Sequence, residues 1–191
     1  MKIKKGDAGY IGQRKRNVII KTVLEFGIVI ALFVLGIWQT GDRLNLLTVV
    51  AILGCLPASK ALVEVIMIAP HHSISQEIRE VIEANTTYVT KAYDMVFTSE
   101  KKIMPVDSIV ISEYTICGYT SKEKVDTNEV AKHLKKYLNA NKFSKVSVKI
   151  FDNYSTYISR IKEMNHLAMD KEDDVKEKEM AIRQLILNLS L

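Results

Sequence analysis

The side chains able to do chemistry are few, and their spacing matches no familiar catalytic or metal-binding motif. Cys117 has no basic or histidine neighbour in the sequence, which favours a buried thiol over a nucleophile. The adjacent residues His71 and His72 would point apart on any regular element, so they do not suit a shared metal. The run from 118 to 122 contains Gly, Ser and Lys without phosphate-loop spacing. The sequence predicts no cofactor and no resident metal.

One acidic residue stands at the start of an apolar run. Residues 105–112 read PVDSIVIS, and with the order of elements expected over residues 75–152 this resembles the core of the restriction-endonuclease-like superfamily. It is similar to the nuclease-related domain, in which a strand begins with a metal-binding acid. The resemblance implies that Asp107 is a candidate catalytic residue. In that family the next strand adds an acid and, two positions later, a lysine, but residues 115–119 read TICGY. Only Asp107 carries over.

Two long apolar segments precede the part of the chain that contains Asp107 and Cys117. Residues 18–38 and 44–68 are each about as long as a bilayer span requires, and a short polar link joins them. Ala69-Pro70 ends the second segment. The pattern predicts a two-helix transmembrane hairpin. Two alternatives stay open: a helical hairpin buried inside a soluble protein, and a cleaved signal peptide in place of the first span.

Three of the four charged residues within these spans lie at similar depths. Counted outward from Gly41 at about 1.5 Å per residue, Lys21 and Lys60 reach the same depth, roughly 30 Å from the turn. Glu25 lies one turn deeper on the same helix face as Lys21. We expect these three residues to be candidates for an ion pair near the membrane interface.

The positive charge is concentrated before the first span. Residues 1–16 contain six Lys or Arg and one Asp, a net charge of +5 that equals the formal charge of the whole 191-residue chain. A chain whose remainder is neutral does not favour a nucleic-acid partner. The positive-inside rule places the N-terminus in the cytoplasm, two spans return the C-terminus there, and the basic tail is expected to meet anionic lipid of the inner membrane.

The remaining residues are expected to fold into a small cytosolic domain. Capping residues and periodicity predict helix, three strands, helix, strand and then helices, an α+β class with a mixed sheet covered by helices. The predicted division is a basic cytosolic tail at 1–17, a hairpin at 18–69 and a cytosolic α/β domain at 70–191. The predicted elements are helices at 75–91, 126–139, 154–167 and 172–189, and strands at 92–98, 107–112, 114–120 and 145–152.

Three functions are compatible with this organisation. The leading hypothesis is a two-pass integral membrane protein of a bacterium-like cell that presents a non-catalytic domain for binding or scaffolding. The first alternative is a membrane-tethered, metal-dependent, nuclease-like hydrolase that has lost part of its site. The second is an accessory subunit of a transport or secretion complex. The lipid bilayer is an expected partner in each, and a protein partner of unknown identity is expected as well.

Overall fold

The computed structural model describes residues 3–43, 45–99, 102–169 and 173–191. Within these residues the architecture is α+β: two long apolar helices precede a small domain of helices and a mixed four-stranded sheet, as the sequence predicts. The elements are α1 (Tyr10–Thr40), α2 (Leu46–Ile68), α3 (Gln76–Ala84), β1 (Thr90–Thr98), β2 (Ile103–Ser112), β3 (Thr115–Tyr119), α4 (Thr127–Ala140), β4 (Ser147–Phe151), α5 (Tyr154–Leu167) and α6 (Asp173–Leu189).

The chain divides into two compact units. Residues 1–10 and 73–191 form the first unit, which we call the domain, and residues 11–72 form the second, which we call the hairpin. This division differs from the one drawn from sequence, because the first ten residues cluster with the C-terminal part of the chain. The basic residues from Arg14 to Arg16 lie within α1, which begins at Tyr10.

Helices α1 and α2 are both long and apolar enough to cross a membrane. In the most apolar 18-residue stretch of each helix, only 11% of α1 and 22% of α2 is buried. A core helix of a soluble protein, in contrast, is mostly buried. The Asn45 side chain caps α2 by accepting a hydrogen bond from the Thr48 amide, and α2 ends at Ile68, close to the predicted stop at Ala69-Pro70.

Small side chains fill the buried face of α2. Ala51, Ala58 and Ala61 are each at most 4% exposed. A Cβ added to Gly54 would lie 3.0 Å from the Val29 side chain of α1, so the two helices approach closely there. Large apolar side chains point outward instead. The exposed ones include Val23, Leu24, Ile28, Ile30, Val34, Trp38, Leu46, Ile52, Leu53, Leu56 and Ile66.

The sheet has the order β1-β2-β3-β4. Strand β2 pairs antiparallel with both β1 and β3, and β4 is parallel to β3 because α4 carries the chain across between them. Helices cover both faces. The first face packs on α4 and α6 through Val130, Leu134, Leu138, Ile182, Ile186 and Leu187. The second packs on α3 and α5 through Ile82, Tyr157, Ile161 and Met164.

The alternation of side chains between the two faces of the sheet is interrupted near the middle of both β1 and β2. Ala92 and Met95 contribute to the same core although they are three residues apart, and Val106 and Ile109 do the same on β2. The change occurs at Asp94, whose φ is +55°. Asp94 lies between two residues that pair with β2, so the ladder continues across the irregularity.

Two predicted boundaries are wrong. The helix expected over 75–91 ends at Ala84, since the β-branched residues that follow lead into β1 instead. The strand expected to begin at Asp107 begins at Ile103, so Asp107 lies in its middle.

Candidate functional site

Asp107 has a structural partner in the loop after β3. Its Oδ2 atom accepts a hydrogen bond from the Ser121 amide at 2.6 Å, which ties that loop to β2. In the described ranges, no group of three or more His, Cys, Asp or Glu side chains is arranged to hold a metal ion. The role that the family resemblance implies for Asp107 stays a prediction.

The ion-pair candidates of the hairpin are brought together only in part. Lys21 Nζ lies 3.7 Å from Glu25 Oε1, and the described residues provide no salt bridge for Lys60. A salt bridge with a shorter distance joins the start of α1 to the end of α2, where Arg14 lies 2.9 Å from Glu64. Sequence reasoning missed this pair because it placed Arg14 in a tail outside α1.

Cys117 lies in the core below α5, as the sequence predicts for a buried thiol. It is 1% exposed, and burial raises the pKa of its thiol, an effect that the nearby Arg160 partly opposes. A thiol that remains protonated near neutral pH is a poor nucleophile.

The segment before α1, residues 3–9, is built into the domain. Its Gly6 carbonyl accepts a hydrogen bond of 2.8 Å from the Tyr93 amide on β1. Gly6 has a φ of +90°, and a Cβ there would lie 2.5 Å from the Leu187 side chain, so both conformation and space favour glycine. Lys5 Nζ donates to the Ser190 carbonyl at 2.6 Å. This N-terminal segment therefore covers part of the β1 edge of the sheet.

Asp94 holds both connections between the domain and the hairpin. Its carboxylate is 5% exposed and accepts two backbone hydrogen bonds, from Gly9 at 2.8 Å and from Ile74 at 2.9 Å. Gly9 immediately precedes α1, and Ile74 follows α2 by six residues. Aspartate tolerates the left-handed backbone conformation better than most residues do. We call this arrangement the Asp94 clasp.

A cleft of about 620 Å³ opens beside the edge strand. The N-terminal segment forms one wall, and α3, β1 and α6 form the others. Six of its eleven lining residues are charged. The lining residues are Gly6, Asp7, Ala8, Arg79, Glu83, Thr90, Lys91, Tyr93, Lys176, Met180 and Arg183, all of which belong to the domain.

The cleft carries a positive excess. Four lining residues are basic and two are acidic. Both acids have a basic neighbour, since Arg79 lies 3.5 Å from Glu83 and Arg183 lies 3.7 Å from Asp7. Among the described residues, Lys91 and Lys176 have no ion pair, and their two charges account for the excess.

A buried carboxylate lies next to the cleft without adding to its acidity. Glu179 is 1% exposed, and its two oxygens accept hydrogen bonds from the Thr90 hydroxyl at 2.8 Å and from the Glu113 amide at 2.7 Å. Glu113 has a φ of +52° in the turn between β2 and β3. Glu179 therefore fastens that turn and the start of β1 to α6.

Tyr93 is a lining residue whose polar group is buried. It is 6% exposed, and its hydroxyl oxygen is closed off from solvent without a hydrogen-bond partner among the described residues. Burial raises its pKa above the ordinary value, and the Glu83 carboxylate raises it further. The Arg79 Nε atom is likewise buried without a hydrogen-bond acceptor. Buried donors of this kind cost stability, so their presence calls for an explanation.

Sequence reasoning missed this cleft. Tyr93 falls within a predicted strand, but the other lining residues come from four separate parts of the chain. The one wall with a sequence signal is residues 6–9, GDAG, where two glycines bracket two small positions. The surrounding lysines instead suggested a tail in contact with lipid.

Comparison with known proteins found no matching family model, no matching curated protein and no matching solved structure.

Proposed function

We propose that this chain is a two-pass inner-membrane protein that presents its α+β domain to the cytoplasm as a binding module. The observation that carries the proposal is the position of residues 3–9 within the domain. The chain leaves the domain at Tyr10 and re-enters it at Ser73, so both ends of the hairpin connect to the same folded unit. A folded domain does not pass through a bilayer, so both connections lie on one side of it.

The surface of the hairpin supports insertion in lipid. Leu24, Ile28, Leu53 and Leu56 are each at least 60% exposed, which would be unfavourable in water. Among the described residues of α2, three of the four that are buried are alanines, as is common where membrane helices pack.

Charge supports the cytoplasmic side. Arg14, Lys15 and Arg16 lie at the domain end of α1, whereas the turn between the helices carries Arg43 beside Asp42. Two of these cations also have partners within the hairpin, because Arg14 pairs with Glu64 and Lys15 Nζ donates to the Ala69 carbonyl at 2.7 Å. Contact of the remaining tail cations with anionic lipid is part of the proposal.

The binding role is supported by the cleft. A concave site of several hundred Å³ falls within the usual range for a small-molecule pocket, and its buried unpaired donors are typical of a site rather than of a packing surface.

Labelling with a membrane-impermeant maleimide tests the topology. Single cysteines at Asp42, in the turn between helices, and at Lys124, in the domain, are both exposed. In intact cells Asp42→Cys should react and Lys124→Cys should react only after lysis. The parent chain supplies the baseline, because Cys117 is buried and Cys55 lies within α2. Labelling of Lys124→Cys in intact cells would overturn the topology.

Fractionation and mass measurement test the anchor. The full 21.6 kDa chain should remain in the membrane pellet at alkaline pH and be released by detergent. A mature product that is shorter by the first apolar segment would show that this segment is a cleaved signal, and a chain in the supernatant would show that the hairpin does not insert.

A further inference from the structure

We propose that the cleft between residues 6–8, α3, β1 and α6 binds the phosphate group of an anionic ligand. The inference rests on the binding role proposed above and names the ligand chemistry. Three observations carry it: the positive excess left by two lysines that have no ion pair among the described residues, the tyrosine hydroxyl that has no hydrogen-bond partner among them, and the volume of the cleft.

The charges select an anion. Lys91 on β1 and Lys176 on α6 both line the cleft and are cationic. Two ammonium groups that face a shared space repel each other unless an anion lies between them, and a phosphate offers several oxygens to both. Six of the eleven lining residues are charged, so a ligand that carries a charged group is favoured over an uncharged one.

The hydrogen-bond donors select oxygen acceptors. The Tyr93 hydroxyl and the Arg79 Nε atom both lack an acceptor among the described residues. The hydroxyl oxygen is closed off from solvent, and the charges of Glu83 and Arg79 both act on it. An oxyanion that draws Arg79 away from Glu83 would supply acceptors to both donors, and the Glu83 carboxylate acts as its competitor.

The volume leaves room for more than a free phosphate ion. About 620 Å³ holds a ligand of metabolite size, so the phosphate is expected to carry an organic group. That group can come from a soluble phosphate ester or from a phospholipid headgroup. Both share the chemistry that the cleft recognises, and the experiment separates them.

Calorimetric titration of the full chain in a neutral detergent provides the test. The probes are inorganic phosphate, pyrophosphate, glycerol 3-phosphate and a short-chain phosphatidylglycerol. Binding of glycerol 3-phosphate at least as tightly as phosphatidylglycerol indicates a soluble ligand. A clear preference for phosphatidylglycerol over glycerol 3-phosphate indicates a headgroup. Absence of binding by all four probes would overturn the proposal without bearing on the membrane topology.

Matched variants locate the binding. The double variant Lys91→Gln with Lys176→Gln should weaken binding by about tenfold or more, since it removes both unpaired charges. Lys145→Gln with Lys162→Gln removes the same charge from exposed positions outside the cleft and should leave affinity unchanged. An equal loss in both double variants would overturn the proposal, because it would show a general charge effect.

Two single variants examine the buried donors. Tyr93→Phe should weaken phosphate binding while the melting temperature stays the same or rises, because the hydroxyl has no partner to lose. Glu83→Gln should strengthen binding, because it removes the carboxylate that competes for Arg79. A Tyr93→Phe variant that binds as tightly as the parent chain, or a Glu83→Gln variant that binds less tightly, would exclude Arg79 and Tyr93 from the site.

Discussion

The hairpin and the domain bury opposite kinds of side chain. In the hairpin the buried residues of α2 are mainly alanines, and the large aliphatic side chains are exposed. In the domain the fully buried side chains are large, among them Phe97, Ile109, Leu134 and Tyr157, and charged residues cover the helices. The domain therefore removes its large apolar side chains from water, whereas the hairpin leaves its own large apolar side chains exposed.

The largest expected effect follows from truncating isoleucines in both regions. Ile186→Ala in α6 removes a side chain that is fully buried in the domain, and it should lower the free energy of unfolding by about 2 to 5 kcal/mol. Ile52→Ala in α2 changes a side chain that is 63% exposed and should change stability by less than about 1 kcal/mol in detergent. Denaturant titration followed by circular dichroism measures both. Similar losses in the two variants would contradict the comparison.

An intermediate effect is expected when an alanine of the hairpin is enlarged. Ala58 is fully buried, so Ala58→Leu should overpack the two helices and destabilise their pairing by about 1 to 3 kcal/mol. The same change at the exposed Ala31 is the control and should have little effect. Unfolding in mixed micelles of increasing dodecyl sulfate content reports the helix pairing. Should Ala58→Leu prove neutral, close packing of α1 on α2 would lose its support.

The smallest expected effect is a difference between the domain and the hairpin in how their stability depends on pH. Burial raises the pKa values of Tyr93, Cys117 and Tyr157 in the domain, while residues 11–72 contain no tyrosine. The folded domain keeps these protons at a pH where the unfolded chain has released them. Their contribution to stability is therefore complete below the unfolded pKa, about 8.5 for cysteine and about 10 for tyrosine, and is lost as pH rises further.

Alkaline titration should therefore unfold the domain before the hairpin, with a loss of about 1.4 kcal/mol per pH unit for each tyrosine involved. Tyr157→Phe loses the 2.9 Å hydrogen bond with Ser108, so it should be less stable at neutral pH but decline less steeply above pH 10. Circular dichroism against pH measures both slopes. If stability falls equally steeply with pH in the variant and the parent chain, Tyr157 does not contribute to the alkaline loss of stability.

Local patterns predicted the order of elements well. The apolar lengths of α1 and α2, the capping residue Asp126 and the alternation in β4 are all short-range signals. Helix α3 was predicted too long because its apolar stripe continues into residues whose β propensity is decided by pairing with β2.

The candidate site was not predictable in the same way. Its walls meet only through tertiary packing, and no periodic signal indicates that residues 3–9 dock on β1. Asp94 occurs in a strand pattern as an ordinary polar residue. Its left-handed backbone and its two amide partners depend on chain segments 65 residues apart, from Gly9 to Ile74.

The Asp94 clasp makes the hairpin an insertion into an otherwise continuous fold. Both amides that the carboxylate holds lie within about 8 Å of each other, as the two hydrogen-bond lengths and the width of one carboxylate require. Two or three linker residues can bridge that gap. Excising the hairpin and splicing Gly9 to Ile74 is accordingly the route to a water-soluble version, whereas a simple N-terminal truncation discards the strand-edge cover and one wall of the cleft.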